Sequence, residues 1–452
     1  MRLEPCCAPK ASLHQDKANG RPASRTFTHQ IGICAMTATT QDLDPYSADG
    51  ICKGPEFFAE LGRKCPVHHY QGRFDFFVLS DPTDVRKSVL VDPEKWSIEN
   101  GNGPSQLPER QRTGLISDDA YHFKIRNVIQ RGFSSTELLR LKVIVENLAN
   151  ELIDAMEALP ERRGDFFELF AMPLPARLMC LMLGAPEAEW KIYKAWADQY
   201  FFNMYNDTQF DGEAGATGTT EITASLFAAM TERRAQLEAK GLTPDLSLLG
   251  TVLPNDFMSR FICEQIDGTP FSPAEVLSMM MGIIIGGNET TMNLIANLVW
   301  RLLEVPSRWE AIKANPDLIE AAIEESLRLD PPVLGMFRTP NEDIVLQGET
   351  IPKDHKVMYN IAAVNRDPAI WEDPEEFRLD RSLSSLRKHV AFSGGHHMCL
   401  GAPLARMEVK RVMELLIARL PNLRIDGKDT RAPGMNVHGR VHMPVRWDPV
   451  TP

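Results

Sequence analysis

The chain has 452 residues, 43% of them hydrophobic and 24% charged, with a formal net charge of −12. That length supports a sizeable hydrophobic core and leaves open whether it forms one large unit or two or three, while the composition excludes a fibrous or wholly disordered chain. The acidic balance argues against sequence-independent nucleic-acid binding, which needs clustered Lys and Arg to release counterions from phosphates.

Taken from the amino end, residues 1–35 mix Pro, Gly, Ser, His and charges around no central apolar stretch. They read as part of a disordered extension over residues 1–44 rather than as a secretory signal, and Met36 offers a second start. The eight cysteines, Cys6, Cys7, Cys34, Cys52, Cys65, Cys180, Cys263 and Cys399, form no CxxC pair and no zinc or iron–sulfur spacing. A reducing, cytoplasmic compartment fits that usage. No run approaches the roughly 18 apolar residues of a membrane span; the nearest, Val276 to Ile285, soon meets Asn288 and Glu289.

From about Pro45 the pattern is of many helices between Pro- and Gly-rich turns, with strand-like pieces at Phe74–Leu79, Ile344–Leu346, Val357–Tyr359 and the C-terminal end. The expected class is mainly α with minor β. Asn100–Arg112 is polar and contains prolines, and reads as an exposed loop of the kind that covers sites.

A well-marked helix begins after Phe271. Ser272 fits the N-cap, Pro273 the first helical position and Glu275 the third, which spells a capping box. Val276 through Ile285 is apolar on nearly every face, so this helix runs through the interior. Gly286 and Gly287 then give up about 2 kcal/mol of helix propensity, which invites the close approach of something bulky. Asn288, Glu289, Thr290 and Thr291 follow. Two readings stand: a packing notch in which the threonines bond back to carbonyls one turn earlier, or a proton relay.

A second helix, near Pro316 to Leu329, carries Glu325 and Arg328 three apart before Pro331 and Pro332 end it. Alone, such a pair is an ordinary exposed ion pair. The segment Ala391-Phe392-Ser393-Gly394-Gly395-His396-His397-Met398-Cys399-Leu400-Gly401 leads into a helical pattern over Ala402–Leu420. A thiol at that place has its pKa lowered by the helix N-terminus, and the glycines let amide donors approach the sulfur.

Phe392-x-x-Gly395-x-His397-x-Cys399-x-Gly401 resembles the haem-binding signature of the cytochrome P-450 superfamily. Gly286-Gly287-Asn288-Glu289-Thr290 resembles the oxygen-activation motif of its long distal helix, and Glu325-x-x-Arg328 its structural ion pair. Phe377-x-x-Asp380-Arg381 resembles the segment that supplies the third member of that pair, and Asn365-Arg366-Asp367-Pro368 also fits. The motifs occur in family order over residues 45–452, which implies one catalytic domain with haem between a distal helix and a proximal cysteine loop.

The resemblance implies haem b, with Cys399 as axial thiolate, Phe392 shielding the sulfur, and Gly395 and Gly401 letting the loop approach the porphyrin. Gly286 faces the cofactor. His122, Arg126, Arg338 and His397 match the partners of the haem propionates. Glu289 and Thr290 match the acid–alcohol pair that delivers protons during dioxygen activation, although many bacterial relatives have aspartate where Glu289 stands. Leu115, Met281, Ile285, Val333, Leu334, Gly335, Met336, Asn436 and Val437 match pocket walls and favour a small apolar substrate.

The implied reaction inserts one oxygen atom of dioxygen into a C–H bond or an alkene. Electrons then come from a separate ferredoxin or flavodoxin with its reductase, and Arg131, Arg406, Lys410 and Arg411 form either a basic docking patch for it or an ordinary solvated face. A peroxide-using or rearranging haem-thiolate enzyme is the alternative, ahead of a haem carrier or sensor.

Overall fold

The computed structural model describes residues 43–106, 114–206, 213–432 and 434–448. Met36 with nearly all of the N-terminal extension, and positions 107–112 of the expected loop, lie outside them. The helices that build the site are α1 (Ala120–Arg131), α2 (Ser135–Glu157), α3 (Pro173–Leu183), α4 (Trp190–Asn206), α5 (Pro273–Gly287), α6 (Glu289–Leu303), α7 (Leu318–Leu329) and α8 (Ala402–Arg419). No helix among the described residues is long and apolar enough to cross a membrane.

Local chemistry sets where these helices start. The Asp119 carboxylate accepts the His122 amide at 2.9 Å at the head of α1, and Ser134 caps α2. At α5 the capping box is complete: the Ser272 hydroxyl accepts the Glu275 amide at 3.2 Å, and the Glu275 carboxylate accepts the Ser272 amide at 2.8 Å. The interruption expected at the glycines falls one residue later, at Asn288 (φ −88°, ψ −72°), which separates α5 from α6. One hydrophobic core runs through α2, α3, α5, α6, α7 and α8.

The pair on α7 departs from an ordinary exposed ion pair. Glu325 and Arg328 are both 0% exposed and bond bidentately at 2.7 and 2.8 Å. Arg328 also donates to the carbonyls of Asn365, Pro374 and Glu376, while Arg381 donates to Glu325 at 3.2 Å. Every strong donor has an acceptor, the condition under which a buried charge pair persists. The pair thereby pins the segment that leads toward the cysteine loop.

The larger sheet contains β1 (Val67–Gln71), β2 (Asp75–Leu79), β3 (Trp96–Ser97), β4 (Gly335–Pro340) and β5 (Val357–Asn360), in the order β1-β2-β5-β4-β3. Only the β2–β5 pairing is parallel. The strand pieces expected at Ile344–Leu346 and near the C-terminus form small separate sheets. The loop from Asn100 is less exposed than its polarity suggests: Gly101, Gly103 and Pro104 are buried, because Lys356 Nζ donates to the Asn100 and Gly101 carbonyls at 3.0 and 2.7 Å.

Candidate functional site

Cys399 lies just ahead of α8, with its own amide bonded to the Phe392 carbonyl at 3.0 Å and its sulfur opening onto an internal cavity. The Gly401 and Ala402 amides donate toward that sulfur. The helix terminus therefore acts as expected, yet the thiol is not lowered overall. Burial pushes it up, against those two donors and the Arg126 and Arg406 guanidiniums. Desolvation outweighs the dipole until a cation binds, because a metal-coordinated thiol loses its proton outright.

Gly395 and Gly401 do different work. Gly395 has φ +60°, and a Cβ there would lie 1.9 Å from the Leu90 carbonyl oxygen, so glycine is required by the loop's packing on its own protein. A Cβ at Gly401 would meet only the Cys399 sulfur, at 3.8 Å. Phe392 lines the cavity beside the cysteine, and the Arg406 guanidinium lies 4.6 Å over its ring.

The cavity is about 360 Å³, and most of its walls are apolar: Leu115, Ile129, Leu178, Ile283, Leu294, Val333, Met336 and Leu404 contribute. Across from Cys399, helix spacing gives α5 and α6 a stripe of Gly282, Gly286 and Thr290 on the lumen. Neither Gly282 nor Gly286 would bring a Cβ within 4 Å of any atom, so both leave open space. Gly287 instead packs on Met179, whose methyl would lie 1.9 Å from an added Cβ.

Thr290 Oγ1 donates to the Gly286 carbonyl at 2.9 Å, so the back-bonding notch is present, and it places the hydroxyl on the cavity wall. Glu289 points elsewhere. Its carboxylate accepts from Lys194 Nζ on α4 at 2.8 Å, and Lys194 also pairs with Asp198. Burial pushes Asp198 up to about 8, helped by its hydrogen bond with Glu289. For Glu289 burial acts upward too, but the Asp198 hydrogen bond and the Lys194 ammonium hold it below its ordinary value. The two carboxyls are thus placed to share a proton, between an Asp198 side chain that is 48% exposed and a Glu289 side chain that is 13% exposed.

Three of the four expected rim cations gather at the cavity. His122 and His397 have ring centroids 4.5 Å apart, and Arg126 donates to the Met398 carbonyl at 2.6 Å. His397 Nε2 lies 2.8 Å from Asp118. Arg338 does not reach the lumen: its guanidinium covers the Tyr359 ring at 5.2 Å and donates to the Phe337 carbonyl.

Of the nine expected pocket positions, Leu115, Val333 and Met336 line the cavity. Met281 and Ile285 pack into the core, one helical step away from the Gly282–Gly286 stripe. Leu334 is buried in a second core cluster, and Gly335 lies in the ladder with its amide donating to Asn436 at 2.9 Å. Asn436 and Val437, the latter bridged to Val333, buttress that segment from behind. Sequence reading missed Lys194 and Asp198. It also missed Glu408, a cavity-wall carboxyl on α8 that burial pushes up to about 8.

The expected basic patch is not a bare one. Arg131 pairs with Glu264, Arg406 with the buried Glu324, Lys410 with Glu320, and Arg411 with Glu146 and Glu414. Four cations matched by nearby acids present little free positive charge. Lys142 and Arg387 line the same surface depression as Arg406, Lys410 and Arg411.

Comparison with known proteins agrees with this geometry. The Cytochrome P-450 family model matches residues 56–431. The cytochrome P-450 monooxygenase PikC of Streptomyces venezuelae is 30% identical, over 86% of this chain and 90% of its own length. The steroid C26-monooxygenase of Mycolicibacterium smegmatis is 31% identical, over 80% and 85%. Among solved structures, cytochrome P-450 CYP109Q5 from Chondromyces apiculatus superposes with a TM-score of 0.77 at 25% identity, covering 92% of this chain and all of that one. A cysteine and a threonine hydroxyl that share one apolar cavity, with a family match over most of the length, lead to one conclusion: this chain belongs to the cytochrome P-450 family of haem b monooxygenases.

Proposed function

We propose that residues 45–452 form one catalytic domain that inserts an oxygen atom from dioxygen into a C–H bond or alkene of a small apolar organic molecule in the cytoplasm, using electrons from a separate ferredoxin or flavodoxin. The supporting observation is that Cys399 and Thr290 lie on the wall of one cavity whose Gly282–Gly286 stripe carries no side chain.

The residues present fit haem. Cys399 would hold the iron, with the Gly401 and Ala402 amides steadying the sulfur. Arg126, His122 and His397, which stand together on the cavity wall, would donate to the two propionates, while Arg338 lies outside that group against the Tyr359 ring. Gly286 leaves the opposite wall flat. When bound, haem b supplies an iron centre that activates dioxygen with two electrons and two protons.

The chain's own part is to hold, exclude and deliver. The apolar walls bind an apolar substrate and keep out bulk water. Thr290 presents its hydroxyl to the lumen, while Asp198 and Glu289 hold a shared proton next to it, within reach of solvent at Asp198. Peroxide-driven chemistry has less use for such a proton store, which favours dioxygen. Electrons enter from the face of α8, where Lys142 and Arg387 supply the less compensated charge.

The test is direct. Carbon monoxide bound to the reduced protein should give the strongly red-shifted Soret band of thiolate ligation, and Cys399→Ser should abolish it. Product should then require reductant and dioxygen together. Equal turnover on peroxide alone would establish the alternative enzyme class.

A further inference from the structure

Away from the cavity, a second set of ligating side chains converges on the five-stranded sheet. His69 Nε2 on β1 lies 2.7 Å from Asp75 Oδ1 at the head of β2, and His355 Nε2, just ahead of β5, lies 3.0 Å from the same oxygen. One ligand atom from each of the three residues falls within 4.8 Å of the others.

Strand register explains the meeting. Across the hairpin His69 pairs with Phe77 and Gln71 with Asp75, so His69, Phe77 and Asp75 share one face. Phe77 pairs in parallel with Val357, two residues past His355, which puts His355 in the same alternation. The Phe77 ring then fixes both imidazoles. It stacks on His69 at 4.1 Å and 10°, and meets His355 edge-on at 5.2 Å and 71°. Among the described residues, the ion pairs of Asp75 are with these two histidines.

We propose that His69, Asp75 and His355 bind a divalent cation of the zinc class through the two Nε2 atoms and one carboxylate oxygen, leaving a position for water. Two imidazoles and one carboxylate suit zinc, nickel or copper, whereas magnesium and calcium demand oxygen donors throughout. Tetrahedral zinc sets its ligand atoms about 3.4 Å apart. The present hydrogen-bonded distances of 2.7 and 3.0 Å approach that spacing, so small side-chain rotations suffice while the ladder keeps the backbone still. The ion would tie the β1–β2 hairpin to the segment entering β5, the strand beside the one that carries Met336 and Arg338.

The test uses the full-length haem-loaded protein, freed of adventitious metal by a chelator and titrated calorimetrically with zinc sulfate. The expected result is one equivalent bound with micromolar affinity, a zinc-dependent rise in melting temperature, and neither effect with magnesium chloride. His69→Gln and His355→Gln should each weaken binding about tenfold or more. Asp75→Asn gives a third, independent variant, and an unchanged carbon monoxide spectrum shows that each remains folded. Absence of zinc binding by the wild type overturns the proposal. So does undiminished binding in the folded variants, which would place the ion on other histidines or cysteines.

Discussion

Glu289 and Thr290 are neighbours in the chain that face different sides of the same helix: the carboxylate meets Lys194 at 2.8 Å, while the hydroxyl lines the cavity and bonds the Gly286 carbonyl at 2.9 Å. On the proposed relay, the step from one residue to the next is where a proton would pass from the α4 side of the wall to the lumen side.

Thr290→Ala should leave the fold nearly intact, since it removes one hydrogen bond worth about 1 kcal/mol. Coupling should suffer instead, with electrons consumed and peroxide released, and Thr290→Ser should restore much of it. Measuring product formed per electron checks this; full coupling in the alanine variant would falsify the role.

Burial and the hydrogen bond with Glu289 push Asp198 up to about 8. Its folded pKa is raised above the unfolded value, so its contribution to stability is complete below about pH 4 and is lost as pH rises through about 8. Turnover and melting temperature should both fall across that upper limb in the wild type. Asp198→Asn should flatten the limb, and a profile identical to wild type counts against the relay.

Gly286 and Gly395 should respond in opposite ways to alanine. At Gly286 nothing obstructs the new methyl, and helix propensity improves by up to about 1 kcal/mol, so the apoprotein should hold or gain stability while haem or substrate binding weakens. At Gly395 the positive φ and the Leu90 carbonyl forbid the change, and folding yield should collapse. Thermal melts with and without haem distinguish the two.

Removing one side of the α7 pair, as in Glu325→Ala, should cost about 3–5 kcal/mol because it strands a buried guanidinium. Denaturant titration of the apoprotein reads this without reference to catalysis. A loss within experimental error would mean that water enters and solvates Arg328.

Lys142→Glu with Arg387→Glu should slow reduction by an acidic donor and flatten its salt dependence more than Lys410→Glu does, because Lys410 is already matched by Glu320. Stopped-flow reduction at several ionic strengths decides between them; equal effects would restore the simpler basic-patch picture.

What the amino-acid order disclosed was local. Ser272-Pro-Ala-Glu275 wrote the start of α5 because a capping box needs only four adjacent residues, and the Cys399 loop was legible because its glycines and cysteine are closely spaced. Partners far apart in the chain left no such mark. Lys194 is 95 residues from Glu289, and the acids that neutralise Arg131, Arg406 and Lys410 lie 82 to 133 residues away, so charge counting alone suggested a bare patch. Of the pocket positions, Leu115, Val333 and Met336 reach the lumen, whereas choosing between Met281 and Gly282 requires the helix's rotation, which is set by what packs behind it.

The parallel register of β2 with β5 joins Phe77 to Val357, and the Cys399 loop rests on Leu90 through Gly395. Segments made early by the ribosome must wait for ones that emerge some three hundred residues later. A chain of this topology is committed to slow, late closure, and its prosthetic group has nowhere to settle until the Cys399 loop, some three hundred residues after Leu90, has left the exit tunnel.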